Sequence, residues 1–280
     1  MRTAIIVSRN YAYSWVIHEL IRQRSTDKFS IFETDFLIKG KGTAASAMYL
    51  IQQGCLSYLA VRSLESFAIS LLSRPPFVWV NPHLRACNLD WVCRHHQLEA
   101  WKTDDVCSGR SLARIRSFRP DLIISLTGQR LRQPLIDLAP RGVLNVHFGI
   151  LPDYRGIAPY VWAMSHGMGN IGTSIHRIDS ERMDTGPVLM ERRVDVAAGC
   201  SIGGVFTLCA QAAARILPLA IRMTEAGEAQ GRPQGKGSYY RWPKASTMRS
   251  IHRQGFKWFG ALDITRNLAD QVLEERSVDA

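Results

Sequence analysis

Three short apolar runs constrain what this chain can fold into: Ala4 to Val7, Leu122 to Leu126 and Val143 to Phe148. None carries Lys, Arg, Asp or Glu, and each is too short for an ordinary helix. Runs of this kind read as strands buried on both faces, the signature of parallel sheets. Parallel neighbours need a crossover connection, usually a helix. Tyr13 to Arg22 supplies one, with Trp15, Ile17, Leu20 and Ile21 as apolar positions, and Ser108 to Phe118 supplies another through Leu112, Ile115 and Phe118. Asp35 to Ile38 reads as a second strand. Residues 44–73 read as a helix buried in the core rather than docked to a membrane surface, since Val61, Leu64, Phe67, Ile69, Leu71 and Leu72 fall near a 3.6 period. Arg74-Pro75-Pro76 ends it. The alternation predicts an α/β fold: a Rossmann-like, mainly parallel sheet flanked by helices.

Beyond residue 150 the pattern loosens. Residues 172–179 and Val188 to Val196 alternate as strands, and Phe206 to Met223 reads as a long helix. A glycine-rich loop follows over 227–237. Then come an aromatic cluster (Tyr239, Tyr240, Trp242, Phe256, Trp258, Phe259) and a final helix near 263–276. No transmembrane segment is expected, because the stretch 57–72 carries Arg62 and Glu65. The apolar run at the N-terminus is too short for a signal peptide, so a cytoplasmic location is expected. The six cysteines form no Cys-x-x-Cys pair. Cys87 and Cys93, followed by His95 and His96, fit no common zinc spacing, so no metal is expected. The formal charge of +11 is scattered along the chain. It suits nucleotides, phosphorylated sugars, nucleic acid or a membrane surface, or is simply a basic soluble surface.

One segment carries chemistry: Asn145-Val-His147-Phe-Gly149-Ile-Leu-Pro152-Asp-Tyr154-Arg155-Gly156. In an extended chain, residues two apart point to the same face, so Asn145 and His147 can converge on one bound atom. A helix is expected to begin near Ala158-Pro159. By itself Asn-x-His is also what a buried strand holds when its His bonds a backbone carbonyl. The pattern continues, however, through Trp162-Ala163, Gly172-Thr-Ser-Ile-His176 and Met183-Asp184-Thr185-Gly186-Pro187.

This ordered set resembles the 10-formyltetrahydrofolate-dependent formyltransferase family, which includes glycinamide ribonucleotide, methionyl-tRNA and sugar N-formyltransferases. The family pattern is Asn-x-His-x-Ser-Leu-Leu-Pro-x-Tyr-Arg-Gly, then Gly-x-Thr-x-His, then Asp-x-Gly-Pro. Here Asn145 precedes Asp184 by 39 positions, and the family's Ser is Gly149. The resemblance is strong over about residues 119–200. It implies a formyltransferase core over 1–205 and a C-terminal helical and aromatic extension over 206–280. It makes Asn145, His147 and Asp184 the catalytic trio. Asn145 would hydrogen-bond the tetrahedral oxyanion, His147 would donate a proton or charge-assisted hydrogen bond to it, and Asp184 would favour the imidazolium and help move the proton. The resemblance also implies that 10-formyltetrahydrofolate, the formyl donor, is held largely by backbone groups at Gln129, Arg130 and Leu131 and at Asp179, Ser180 and Met183.

The acceptor is less constrained. The tail after the core is shorter than the β-barrel by which methionyl-tRNA formyltransferases bind tRNA, and its pattern is not a run of short strands. A small amine is therefore expected, on a nucleotide-linked amino sugar, with no DNA and with tRNA disfavoured. Tyr154 and Arg155 would contact it. Tyr240 and Trp242 would stack on its base, or else Tyr239, Tyr240 and Trp242 form a satellite core. Arg155 faces either an anionic substrate or a neighbouring carboxylate. A methionyl-tRNA formyltransferase-like enzyme, a formyltetrahydrofolate deformylase and a non-catalytic folate-binding protein stand as rivals. A homodimer stays open.

Overall fold

The computed structural model describes residues 1–34 and 43–268. Strand β1 (Arg2–Ser8) lies in the middle of the sheet and is buried on both faces. Ile5 and Val7 point into one apolar layer, Ala4 and Ile6 into the other. Asn10 turns the chain and caps helix α1 (Tyr11–Gln23), its side chain accepting from the Tyr13 N–H. The second strand, β2 (Lys28–Thr34), precedes the expected Asp35 to Ile38, which lies outside the described residues.

The stretch expected as one helix is two, α2 (Thr43–Gln52) and α3 (Leu56–Leu72), broken at Gly54 with φ +78°. The expected core face of α3 is also corrected. Val61 and Ile69 are buried, but Leu64, Phe67 and Leu71 are exposed. Periodicity located a stripe on this helix and could not say which way it faced. The short helix α4 (Phe77–Val80), a 3-10 turn at Pro82–Cys87 and α5 (Leu89–His95) lead to edge strand β3 (Ala100–Thr103). Helix α6 (Gly109–Phe118), capped by Ser108, returns the chain to β4 (Leu122–Leu126). The short α7 (Gln133–Ile136) then leads to β5 (Val143–His147).

Two residues, Arg155–Gly156, form β6. Helix α8 (Pro159–His166) follows, then β7 (Gly172–Ile178) and β8 (Val188–Arg193). The main sheet has seven strands in the order β3-β2-β1-β4-β5-β7-β8. Strands β1 to β5 run parallel, whereas β7 and β8 are antiparallel to their neighbours. The strand order reverses direction at β1, so the crevice outside the carboxyl ends of β1 and β4 is the expected ligand position. Helix α9 (Ile202–Ala226), capped by Ser201, packs on α1 and β7, and the expected division between residues 205 and 206 falls inside it. Among the described residues it is also long and apolar enough to cross a membrane, with 78% of that window buried within the protein. The tail contributes β9 (Tyr239–Tyr240), parallel to β6, and α10 (Ala245–Arg253). Residues 261–268 are helical; the rest of the expected helix to 276 lies outside the described residues.

Candidate active site

The crevice is present. A cavity of about 200 Å³ opens at the ends of β1, β4 and β5, with Ser8, Asn10, Thr127 and Gly128 on one side and Asn145, His147 and Asp184 beneath. Ser8, Thr34 and Thr127 join the ends of β1, β2 and β4, the Ser8 hydroxyl lying 3.0 Å from that of Thr34 and 2.8 Å from that of Thr127. A smaller cavity of about 40 Å³ adjoins it and shares Thr127, Asn145, Met183 and Asp184.

Asn145 and His147 stand two apart on β5, both buried, as alternation requires. The His147 Nε2–H donates to the Tyr154 carbonyl oxygen at 2.6 Å. A carbonyl only accepts, so a neutral ring carries its proton on Nε2 and leaves Nδ1 bare. That Nδ1 lies 3.6 Å from Asp184 Oδ1. Neighbouring β7 brings in His176 opposite Asn145. Its Nδ1–H donates to the Arg177 carbonyl oxygen (3.0 Å), so Nε2 accepts one Asn145 Nδ2–H (3.0 Å). The second N–H of that amide is then available to a bound oxygen.

Asp184 sits in a left-handed conformation, φ +53°, in the turn between β7 and β8. Its Oδ2 accepts the Gly156 N–H at 2.8 Å, and its Oδ1 lies 3.5 Å from His176 Nε2. Burial pushes the carboxyl upward, but the rings of His147 and His176 and the Gly156 N–H outweigh it and hold Asp184 down at about 2. Burial lowers the His147 pKa below the usual 6.5, against the pull of Asp184. The resting site is thus an anionic Asp184 beside a neutral His147.

Gly156 (φ +97°) holds Asp184 because the tail holds Gly156. The Arg155 and Ile157 N–H groups donate to Ser238 and Tyr240 carbonyls at 3.0 Å, and a Cβ on Gly156 would stand 2.1 Å from Tyr240 O. The departure at Gly149 has a steric cause: a Cβ there would meet Pro159 Cβ at 2.6 Å.

The other expected site residues divide. Gln129, Arg130, Leu131, Ser180 and Met183 line the smaller cavity, and Asp179 does not. Arg130 Nε donates to the Glu181 carbonyl (2.8 Å), joining the two segments. Trp242 lines the larger cavity. Tyr154, Arg155 and Tyr240 do not. Tyr240 is stacked between Trp162 (4.8 Å) and Tyr154 (5.7 Å), and Arg155 bonds the Gln234 side chain and the Gly235 carbonyl. Sequence reasoning missed Tyr13, Tyr58, Arg62, Tyr160 and Phe206, which wall the larger cavity. They come from α1, α3, α8 and α9, and no local spacing links them. His176 was visible in the motif without a role.

Residues 84–221 match the family model described as formyl transferase, a span that takes in Asn145, His147 and Asp184. Residues 84–221 thus carry a formyl transferase domain match, over about half of the chain. A methionyl-tRNA formyltransferase from Kosmotoga olearia is 29% identical over 161 residues, 57% of this chain and 51% of that protein. The chain spans about half the length, or less, of the curated relatives it matches. Two solved structures share the fold. Glycinamide ribonucleotide transformylase 1 from Symbiobacterium toebii superposes with a TM-score of 0.56 at 16% identity, covering 84% of this chain and 93% of that one. An N-formyltransferase from Helicobacter canadensis, solved with folinic acid and dTDP-3-aminofucose, superposes with a TM-score of 0.54 at 11% identity, covering 91% and 79%.

Proposed function

We propose that this chain moves a formyl group from 10-formyltetrahydrofolate to the amine of a nucleotide-linked amino sugar. One observation carries the reading: Asn145 and Asp184 stand where two cavities meet, with His147 against the larger of them. The smaller, edged by residues 129–131 and 180–183, lies between the two segments that the family resemblance assigns to the pteridine of the donor. The larger, walled by aromatic side chains and Arg62, suits the acceptor.

The chemistry follows from the proton positions. The neutral amine attacks the formyl carbon, and the carbonyl oxygen becomes an oxyanion that the free Asn145 N–H stabilises. The proton lost by the amine goes to the bare Nδ1 of His147, and Asp184 steadies the imidazolium. The carbon–N10 bond then breaks, and Nδ1 returns the proton to N10. This reverses the role first expected of His147: its Nε2–H is committed to Tyr154, so it serves as base before acid. The neighbour from Helicobacter canadensis, holding a folate and a dTDP-linked amino sugar, supports this pairing of substrates.

A second reading, formylation of methionyl-tRNA, is favoured by the curated relatives. A panel of amino-sugar nucleotides, methionyl-tRNA and no amine, each with 10-formyltetrahydrofolate at physiological salt, separates the cases by tetrahydrofolate release. Turnover with a sugar nucleotide supports the proposal. Turnover with tRNA alone promotes the second reading, and release without any amine points to hydrolysis.

A further inference from the structure

Helix α3 is amphipathic in reverse. Its charged residues, Arg62 and Glu65, turn inward and pair, and Glu65 is fully buried. Its exposed positions are Leu56, Leu64, Phe67 and Leu71 together with one alanine and three serines, and none is charged. At roughly 100° per residue the four large side chains and Ala60 fall within about 80° of arc, opposite the buried face. A surface helix ordinarily keeps its charges in that position. Here Phe67 is 69% exposed, Leu56 57%, Leu64 49% and Leu71 48%. Helix α2, packed against α3, adds exposed Met48, Tyr49 and Ile51, and the segment after α3 adds Phe77 and Trp79, the latter 71% exposed.

We propose that this face is the contact through which two copies of the chain form a two-fold dimer. An aromatic side chain offers about 150–250 Å² and Leu, Ile or Met somewhat less, so these nine, each 41–71% exposed, together leave on the order of 1,000 Å² in water. That exceeds the largest patch of a typical monomer, about 300–600 Å², and reaches the roughly 800 Å² per partner of a stable interface. A two-fold contact requires a patch complementary to itself. An uncharged stripe meets its own copy without setting like charges together. Ala60, Leu64, Phe67 and Leu71 follow the alternating three- and four-residue spacing of paired helices. A membrane-docking helix would set Lys or Arg around such a stripe, and the exposed positions of α3 hold none. The inner face of the same helix carries Tyr58 and Arg62 into the larger cavity, so the contact would brace that wall. The face lies outside the span that matches the family.

Sedimentation velocity on the full chain tests this. A species of twice 31.5 kDa is expected at micromolar concentration. Phe67→Glu and Leu71→Glu are expected to raise the dimer dissociation constant at least ~30-fold, with an unchanged circular dichroism spectrum. Phe67→Ser, a milder change at the same exposed position, is expected to weaken the dimer without altering the fold. Met168→Glu, at an exposed methionine between α8 and β7, is expected to leave the dimer intact. A wild-type monomer at about 100 µM overturns the proposal, as does a dimer insensitive to both glutamates. Monomers that co-sediment with phosphatidylglycerol vesicles, and lose that binding on Phe67→Glu, overturn it in favour of a membrane surface. A monomer in which deletion of residues 269–280 uncovers the face to a hydrophobic dye overturns it in favour of the chain's own tail.

Discussion

His147 presents a bare Nδ1 to Asp184 at 3.6 Å because its other nitrogen is held by the Tyr154 carbonyl at 2.6 Å. In the proposed mechanism, the direction of proton flow follows from this pair of contacts. A ring anchored through Nε2 can take a proton only at Nδ1, and the carboxylate that would stabilise the product is already in place. Loss of either partner should act on the chemical step. His147→Ala and Asp184→Asn are each expected to lower kcat by about 100- to 1000-fold, with folate affinity changed only a few-fold. Single-turnover rates and folate titrations of the same preparations check this. Parallel losses in both would assign the pair a structural role.

The pair should also be visible in acid. Burial holds His147 below 6.5 in the native protein, so between 6.5 and its folded pKa the unfolded chain binds a proton that the native chain does not. His18, lowered to about 4 by burial and by His96 and His95, acts in the same window. Stability is therefore expected to be level between about pH 7 and 8 and to fall steadily below 6.5. Asp184, held at about 2, loses its contribution only between 3.8 and about 2. Melting curves across this range test the sign. A maximum near pH 5 would contradict it. In an NMR titration, Asp184→Asn should move the His147 midpoint lower still, since the carboxylate pulls it upward.

Arg62 and Glu65 form a buried pair at the wall of the larger cavity. Removing one partner of such a pair strands the other charge, at a cost of roughly 3–5 kcal/mol, whereas replacing both with apolar groups is often neutral. Arg62→Leu is expected to lower the melting temperature sharply, and Arg62→Leu with Glu65→Leu to recover most of it. A double variant no more stable than the single would argue that Arg62 acts through Tyr11 and Phe206, which it also touches.

The parts of this molecule legible in the sequence are those with a local physical cause. Strands β1, β4 and β5 are buried on both faces, so their largely apolar runs stand out whatever surrounds them. Asn145 and His147 share a strand, and alternation alone sets them side by side. Strand β2 escaped because Lys28, Phe29 and Ser30 lie at its partly solvated end and break the run. The outward face of α3 escaped because a 3.6 period carries no sign. Arg62 and Tyr58 reach the site from a helix whose packing only the fold decides. The tail looked like an aromatic appendage, yet its two-residue strand holds Gly156 and so Asp184. No spacing announces a pairing between residues about 80 positions apart.

Gly149 and Gly156 should tolerate substitution differently in kind. At Gly149 the obstacle is Pro159, at the first turn of α8, so Gly149→Ser is an overpacking change of about 1–3 kcal/mol that displaces that helix. At Gly156 the obstacle is backbone on a paired strand, and the φ of +97° adds strain for any side chain. Gly156→Ala is expected to be the more damaging and to cut turnover through Asp184. Thermal melts and kcat for both variants check the order. A fully active Gly156→Ala would detach Asp184 from the tail.

Trp242 and Tyr240 are two residues apart, and the structure assigns them different surroundings. Tyr240 is stacked between Trp162 and Tyr154, and its carbonyl accepts the Ile157 N–H. Trp242 lies near Tyr58, with ring centroids 6.1 Å apart, and lines the larger cavity. Stacking of a base on an aromatic face contributes about 1–3 kcal/mol, which corresponds to roughly 5- to 150-fold in affinity. If the acceptor carries a base, Trp242→Ala should raise its KM within that range while kcat, folate affinity and melting temperature hold. Tyr240→Ala should do the reverse, lowering the melting temperature and loosening Gly156 and Asp184, so that kcat falls more than KM rises. The comparison is informative because each variant controls for the other. Equal effects on KM would return both residues to one shared role. A Trp242→Ala enzyme with unchanged KM for every sugar nucleotide would mean that this wall does not hold the base.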